Sequence, residues 1–386
     1  MEIRPMHIPC RTEAVIDLDA IRQNYARLRE LFPDTRIMSV IKADGYGHGI
    51  AGIVPTCEPL TDAYAAATVS EGIAARDAGA VKPILLFGAV PDDEMVSAAE
   101  RGLTFSVGSA DYAARLNDRL KEHGLTAECH LKIETGMNRN GIRWREGAED
   151  AALCEINAIY ALDALRFTGI YTHCCVADSP SADDVAFTGR QYARFLSACE
   201  HIGKAHTLGV RHCMASGGAL LHPDCRMDMV RVGMLVYGQC DTAEHQRQYG
   251  FCEALTWTSC ITEIEPLKQG ETVSYGRTFY AERDMRIGIV SCGYADGYRR
   301  CYQGAGEVLI RGKRARVIGR ICMDYLTVDL TDRGDVCVGT PVTLIGTDGT
   351  EHISAIEIAE KNASTCGEVT LAITPRVPRR YIGGGA

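Results

Sequence analysis

A (β/α)8 TIM-type barrel followed by a mostly antiparallel β domain is the architecture the sequence predicts, on three observations. From about residue 14 to 245, short apolar runs alternate with longer segments whose apolar residues recur every three or four positions. From about residue 246 that spacing gives way to β-rich runs punctuated by Gly, Asp and Asn. The 386 residues, 46% of them apolar, are enough for two cores, since a domain takes roughly 100–200 residues. The expected domains are 14–245 and 246–386, with residues 1–13 packing with the second.

Taken in order, DLDAIRQNYARLRELF (17–32) sets Ile21, Tyr25, Leu28 and Phe32 on one helical stripe. RIMSVIK (36–42) is the first barrel strand. The others are AAATVS (65–70), PILLFGA (83–89), LTFSV (103–107), ECHLKIE (128–134), RFTGIYTH (166–173), HTLGVRHCMAS (206–216) and VRVGMLVYG (230–238). Strands alternating with helices at this spacing imply parallel strands joined by helical crossovers. About eight such units suit a barrel, with a doubly wound sheet as the competing topology. The later runs LTWTSCITEIEPL, DMRIGIVSCGYAD, GEVLIRGKRARVIG, LTVDLTD and GTPVTLIG read as strands of a second domain, and ISAIEIAEKNAS as its one helix. There is no internal repeat.

Composition excludes several function classes. A formal net charge of −9 argues against a nucleic-acid surface, which needs clustered positive charge. No apolar run approaches the roughly 20 residues that cross a bilayer. The first twenty residues carry acids and arginines where a secretory signal would be apolar. A cytoplasmic protein with no membrane or nucleic-acid partner is expected. The 17 cysteines include no CxxC pair, so no metal site is expected, and they read as small apolar fillers in a reducing compartment.

The chemistry starts at VIKADGYGHG (40–49). Lys42 closes the first barrel strand, and strand C-termini face the active site in such barrels. A partly desolvated lysine loses proton affinity and can condense with an aldehyde. Alone, a lysine after a strand is an ordinary loop residue. The whole motif, however, closely resembles the cofactor-lysine motif of bacterial alanine racemases, which pair a barrel with a C-terminal β domain. The resemblance implies that Lys42 holds pyridoxal 5'-phosphate and that Tyr46 binds its phosphate.

Further motifs resemble that family in the same order. HLKIETGMNRNGIR (130–143) implies a lysine often carbamylated, Lys132, and a substrate-side arginine, Arg139, whose fixed fork suits a phenolate or carboxylate. GIYTHCCVAD (169–178) points to His173 against the cofactor ring and Asp178 at the entrance. MASGGAL (214–220) and MVRVGMLVYG (229–238) match Ser216, Gly233 and Met234 to the phosphate, although Ala215 stands where the family has asparagine. Arg231 matches the arginine facing the ring nitrogen. Arginine stays protonated, so it donates to that nitrogen and leaves it unprotonated, which suits proton exchange better than decarboxylation.

TVSYGRTF (272–279) supplies Tyr275. Racemisation needs acid–base groups on both faces of the α-carbon, and the resemblance pairs Lys42 with Tyr275, delivered by a second subunit of a head-to-tail homodimer. IVSCGYADGYRR (289–300) and VIGRICMDYLTVDL (317–330) match Tyr294 to a phosphate-side or gate tyrosine, Arg320 to an entrance arginine and Met323 to a backbone contact with the substrate carboxylate. In ITPRVPRRY (373–381), Pro375 replaces the family's entrance tyrosine. The implied activity is racemisation of a small amino acid, L- to D-alanine first, for peptidoglycan precursors. A serine or broad-specificity racemase is the alternative, and a decarboxylase or a non-catalytic binder the remoter ones.

Overall fold

The computed structural model describes residues 11–384. They form two compact units, one spanning Arg22–Val236 and the other made of the described residues on either side of it.

The Arg22–Val236 unit is a closed parallel barrel. Its strands are β2 (Arg36–Val40), β3 (Ala63–Ala66), β4 (Ile84–Leu86), β5 (Phe105–Val107), β6 (Ala127–Glu134), β8 (Leu165–Tyr171), β9 (Val210–His212) and β10 (Met229–Val232). β1 (Thr12–Asp17) belongs to the other unit, and β7 (Ile142–Arg143) is a short pairing beside β6. The parallel order β10–β2–β3–β4 continues into β5 through a Leu85–Thr104 bridge, and β5–β6–β8–β9 returns to β10 through an Ala215–Arg231 bridge. Closure distinguishes this barrel from an open doubly wound sheet. Small side chains at Ala63 and Ala65 pack inside with Met38, Val40, Leu85, Tyr171 and Met229. The first helix, Leu18–Leu31, buries Ile21, Tyr25 and Leu28, the stripe that the spacing predicts.

Some strands are shorter than their apolar runs. In AAATVS the strand ends at Ala66, because Thr68 accepts the Glu71 N–H and starts a helix over Val69–Asp77. After β10 the run MLVY turns into a 3-10 helix, Met234–Tyr237.

In the second unit β11 (Leu255–Leu267), β14 (Met285–Val290), β17 (Leu326–Asp329), β16 (Lys313–Ile318), β15 (Glu307–Ile310) and β18 (Pro341–Asp348) pair antiparallel in that order, and β18 returns to β11. Register shifts within the long β11 let it pair with both neighbours. β1 and β20 (Arg379–Ile382) extend the sheet beyond β11, and β19 (Glu351–Ile353) extends it beyond β18. The hairpin β12 (Thr272–Val273) and β13 (Phe279–Tyr280) stands apart. The late helical stretch forms a helix over Ala355–Lys361, and a second, not predicted, follows at Cys366–Leu371 with Thr365 as its cap.

Candidate active site

The sequence-predicted residues gather in two groups, one in each unit. In the barrel, Lys42 follows the end of β2. The next four residues, Ala43, Asp44, Gly45 and Tyr46, all have φ between 52° and 64°, a left-handed turn that is strained for the three with side chains. Asp44 Oδ1 accepts the Ile50 N–H at 2.7 Å, and the His48 ring bonds the Gly45 and Tyr46 carbonyls at 3.0 and 3.1 Å. Both residues therefore hold the turn from within. The Lys42 amine lies 5.8 Å from the Tyr46 ring centre. Burial lowers its pKa, the Arg139 guanidinium lowers it further, and Glu71 opposes both.

Tyr46 crosses to the loop after β10. A Cβ on Gly233 would sit 2.5 Å from the Tyr46 hydroxyl, so only glycine allows that approach. The Gly233 N–H donates to Ser216 Oγ at 3.1 Å, and Met234 opens the following turn. Two hydroxyls and loop backbone thus meet around one small space, which suits an anion.

Deeper in the barrel, Arg231 is 3% exposed. Its Nη2 donates to the Thr172 and Cys213 carbonyls at 3.0 and 2.9 Å and to His173 Nδ1 at 3.0 Å, and its Nη1 donates to His212 Nδ1 at 3.0 Å. Arginine only donates, so His212 Nδ1 accepts and its Nε2–H donates to His130 Nδ1 at 2.9 Å. Burial and the Arg231 charge depress His130 to a pKa of about 4 and His173 to about 2. All three rings are thereby neutral around a fixed guanidinium, whose Nε–H and one Nη1–H have no partner among the described residues.

Lys132 is 4% exposed, bonded to the Ile133 carbonyl at 3.1 Å and set 5.0 Å from the Tyr171 ring centre. Burial, then Arg231 and Arg139, lower its pKa to about 7. Arg139 is exposed above these groups and donates no hydrogen bond among the described residues. Asp178 is exposed beyond β8, and among the described residues no ion pair joins it to the group.

In the other unit, Tyr275 is 66% exposed at the head of a 3-10 turn. A Cβ on Gly276 would lie 2.9 Å from the Arg320 guanidinium, and Ser274 Oγ donates to the Arg320 carbonyl at 2.6 Å. The Tyr294 and Ala295 N–H groups donate to the Cys322 and Met323 carbonyls, each at 3.0 Å. Thr374 bonds Ala295 and Asp296, so Pro375 stands beside the Tyr294 loop. Tyr275, Tyr294, Arg320, Met323 and Pro375 share one loop cluster.

Sequence reasoning missed what braces that cluster. Asp296, fully buried, accepts from Arg11 at 2.6 and 2.9 Å, from the Gly293 N–H at 2.9 Å and from Arg376 at 3.2 Å. It also left His130, His212 and Glu71 without roles. Period-two polar residues in a buried strand, His130 and Lys132, were a usable signal for the first. Of the sixteen described cysteines none is in a disulfide; nine are buried, whereas Cys154, Cys175, Cys252, Cys301 and Cys337 are exposed rather than core fillers. No group of described side chains could hold a metal ion.

Two family models match: alanine racemase, N-terminal domain, over residues 16–241, and alanine racemase, C-terminal domain, over 254–381. An alanine racemase of Halothermothrix orenii is 34% identical over 379 residues, 97% of this chain and 98% of its own. One from Nostoc sp. is 36% identical over 373 residues, 94% of each chain. Among solved structures, alanine racemase of Clostridium difficile 630 has a TM-score of 0.89 at 31% identity, covering 97% of this chain and 96% of that one. Alanine racemase from Bacillus anthracis with bound L-Ala-P has the same score at 30% identity, with 97% and 96% covered.

Proposed function

The chain belongs to the alanine racemase family, and from that membership we propose that it interconverts L- and D-alanine using pyridoxal 5'-phosphate held in its barrel. The residues fit that group. The Lys42 amine is biased toward its uncharged, nucleophilic form. The Tyr46 hydroxyl, Ser216 Oγ and the backbone at Gly233 and Met234 offer a phosphate small, polar surroundings. His173 is hydrogen-bonded to Arg231 and feels the charges of Lys132 and Lys42.

The observation that carries the reading is the setting of Arg231. Bound beside it, the cofactor would supply an electron-withdrawing ring that makes an α-proton removable. A permanently charged donor at Arg231 would hydrogen-bond the ring nitrogen without giving up its proton, which limits how long negative charge is held. That favours returning a proton over losing carbon dioxide. Lys42 then removes or delivers the proton on one face and Tyr275 on the other. Arg139 and the Met323 backbone orient the phenol and the substrate carboxylate, with Lys132, carbamylated, steadying Arg139. Tyr294 closes the phosphate side, and Asp178 and Arg320 line the entrance. In keeping with the family resemblance, the enzyme is a cytoplasmic homodimer whose subunits share their sites, and its D-alanine goes to peptidoglycan precursors.

The test is incubation of each alanine enantiomer in deuterated water. The expected result is α-deuterium in both enantiomers, absent in Lys42→Ala. Release of carbon dioxide would make the chain a decarboxylase, and no exchange would leave it a binding protein. Pro375 favours a second reading, tolerance of serine, because proline provides neither the ring nor the hydroxyl of the family's tyrosine.

A further inference from the structure

Glu71 lies outside the motifs that resemble the family, yet it bonds the backbone next to Lys42. It is the third residue of a capping box at the helix Val69–Asp77, with Thr68 accepting the Glu71 N–H. One carboxylate oxygen serves that box, accepting from Ala67 and Thr68 N–H at 2.8 and 3.2 Å. The other reaches away from its own helix to accept the Ala43 N–H at 2.6 Å. A helix cap needs only the first oxygen. The second ties the loop after β3 to the first residue of the left-handed turn. Ala43 has φ 52° and ψ 52°, a left-handed conformation that a residue with a side chain keeps only where its surroundings impose it.

We propose that Glu71 is a positioning residue for Lys42, holding the turn that aims the amine and supplying the negative charge that acts on it. The proposal rests on Lys42 having the role given above. Around the amine stand Arg139 from a neighbouring loop, Glu71 from the first turn of the helix Val69–Asp77, the Tyr46 ring from its own turn and His173 just past the end of β8. Arg139 and burial push the amine toward its neutral form, and Glu71 alone of these opposes them. Without Glu71 the lysine would be a weaker base; with an unopposed carboxylate it would stay protonated. The balance suits a group that both accepts and returns a proton.

The experiment is competitive acetylation of lysines in the full-length chain, cleared of carbonyl compounds with hydroxylamine and read by mass spectrometry across a pH series. Glu71→Gln keeps an acceptor oxygen and removes the charge. It is expected to raise Lys42 labelling at neutral pH by about threefold or more, the change that half a unit in an amine's titration produces. Labelling of exposed Lys268 stays as it was. Glu71→Ala also releases the Ala43 N–H, and is expected to weaken uptake of pyridoxal 5'-phosphate, followed by absorbance, by about tenfold. Adding Ala43→Gly, which adopts positive φ freely, restores uptake but not the titration. Unchanged Lys42 labelling in Glu71→Gln, or unchanged uptake in Glu71→Ala, overturns the proposal. Should either variant fail to fold, Glu71→Asp keeps the charge and shortens the reach: native labelling with weakened uptake supports it, and native values for both overturn it. These labelling shifts in the variants, together with no α-deuterium exchange by the wild-type chain, would sink the racemase reading and leave Glu71 in place.

Discussion

At the scale of single residues, the barrel keeps its interior histidines uncharged, and this has a measurable consequence. Arg231 donates to His173 and His212, so a proton on either ring would face a cation and lose an acceptor. His130, with a folded pKa of about 4 against an ordinary 6.5, shows the sign. The unfolded chain takes up a proton as pH falls below about 6.5 and the folded chain does not until about pH 4. Stability is therefore full above that window and lost on acidification through it, by roughly 3 kcal/mol for His130 alone. The melting temperature is expected to fall steadily between pH 6.5 and 4. In His130→Gln, which cannot be charged, that fall should be shallower; an unchanged slope would remove the histidine from the account.

The same scale shows what was legible in the sequence. Lys42, Tyr46, Ser216, Arg231 and Gly233 sit in short motifs whose residue order is itself the signal, and the structure brings them together in one unit. Glu71 and Asp296 act through partners far along the chain. Glu71 binds a residue 28 positions away and Asp296 one 285 away. No periodicity or local propensity encodes such pairings, so a lone acid before a helix reads only as a cap. Asp44 and His48 are the intermediate case: their bonds are local, but they depend on a left-handed turn that residues other than glycine seldom adopt.

At the scale of elements, apolar runs located the strands and capping residues set their ends. Thr68 cut one run at Ala66, and the six-residue helix at Cys366 escaped notice because it is too short to show a period. The corner at Pro375 belongs to this scale, since its environment is made by loops. Thr374 is pinned to the Tyr294 loop, and Arg376 bonds Asp324 at 2.6 Å and Asp296 at 3.2 Å. Proline thus sits between two fixed points, which oppose a shift of the segment into the place of the family's ring. A side chain one hydroxyl larger than alanine's should be admitted, because pockets discriminate weakly against such a difference, by about 1–3 kcal/mol. We expect kcat/KM for serine within about a thousandfold of that for alanine, and Pro375→Tyr to widen the gap by about tenfold or more. A wild-type serine value below that range would refute the open corner.

At the scale of the whole molecule, the two residues proposed to exchange the proton are carried by different units, Lys42 by the barrel and Tyr275 by the β unit, where it is largely exposed. Exposure is unusual for a tyrosine asked to handle a proton, because water would compete for the phenol. A second subunit whose barrel received Tyr275 would answer that difficulty. If each site takes its lysine from one chain and its tyrosine from the other, two inactive variants must complement. Lys42→Ala and Tyr275→Phe, each inactive alone, would combine into dimers in which one site carries both substitutions and the other neither. After free exchange of subunits, half the dimers are mixed, so activity should recover to about a quarter of the wild-type value. Dilution that separates the subunits should abolish it. A mixture that stays inactive, with mixed dimers demonstrated by differently tagged chains, would mean that lysine and tyrosine come from the same chain.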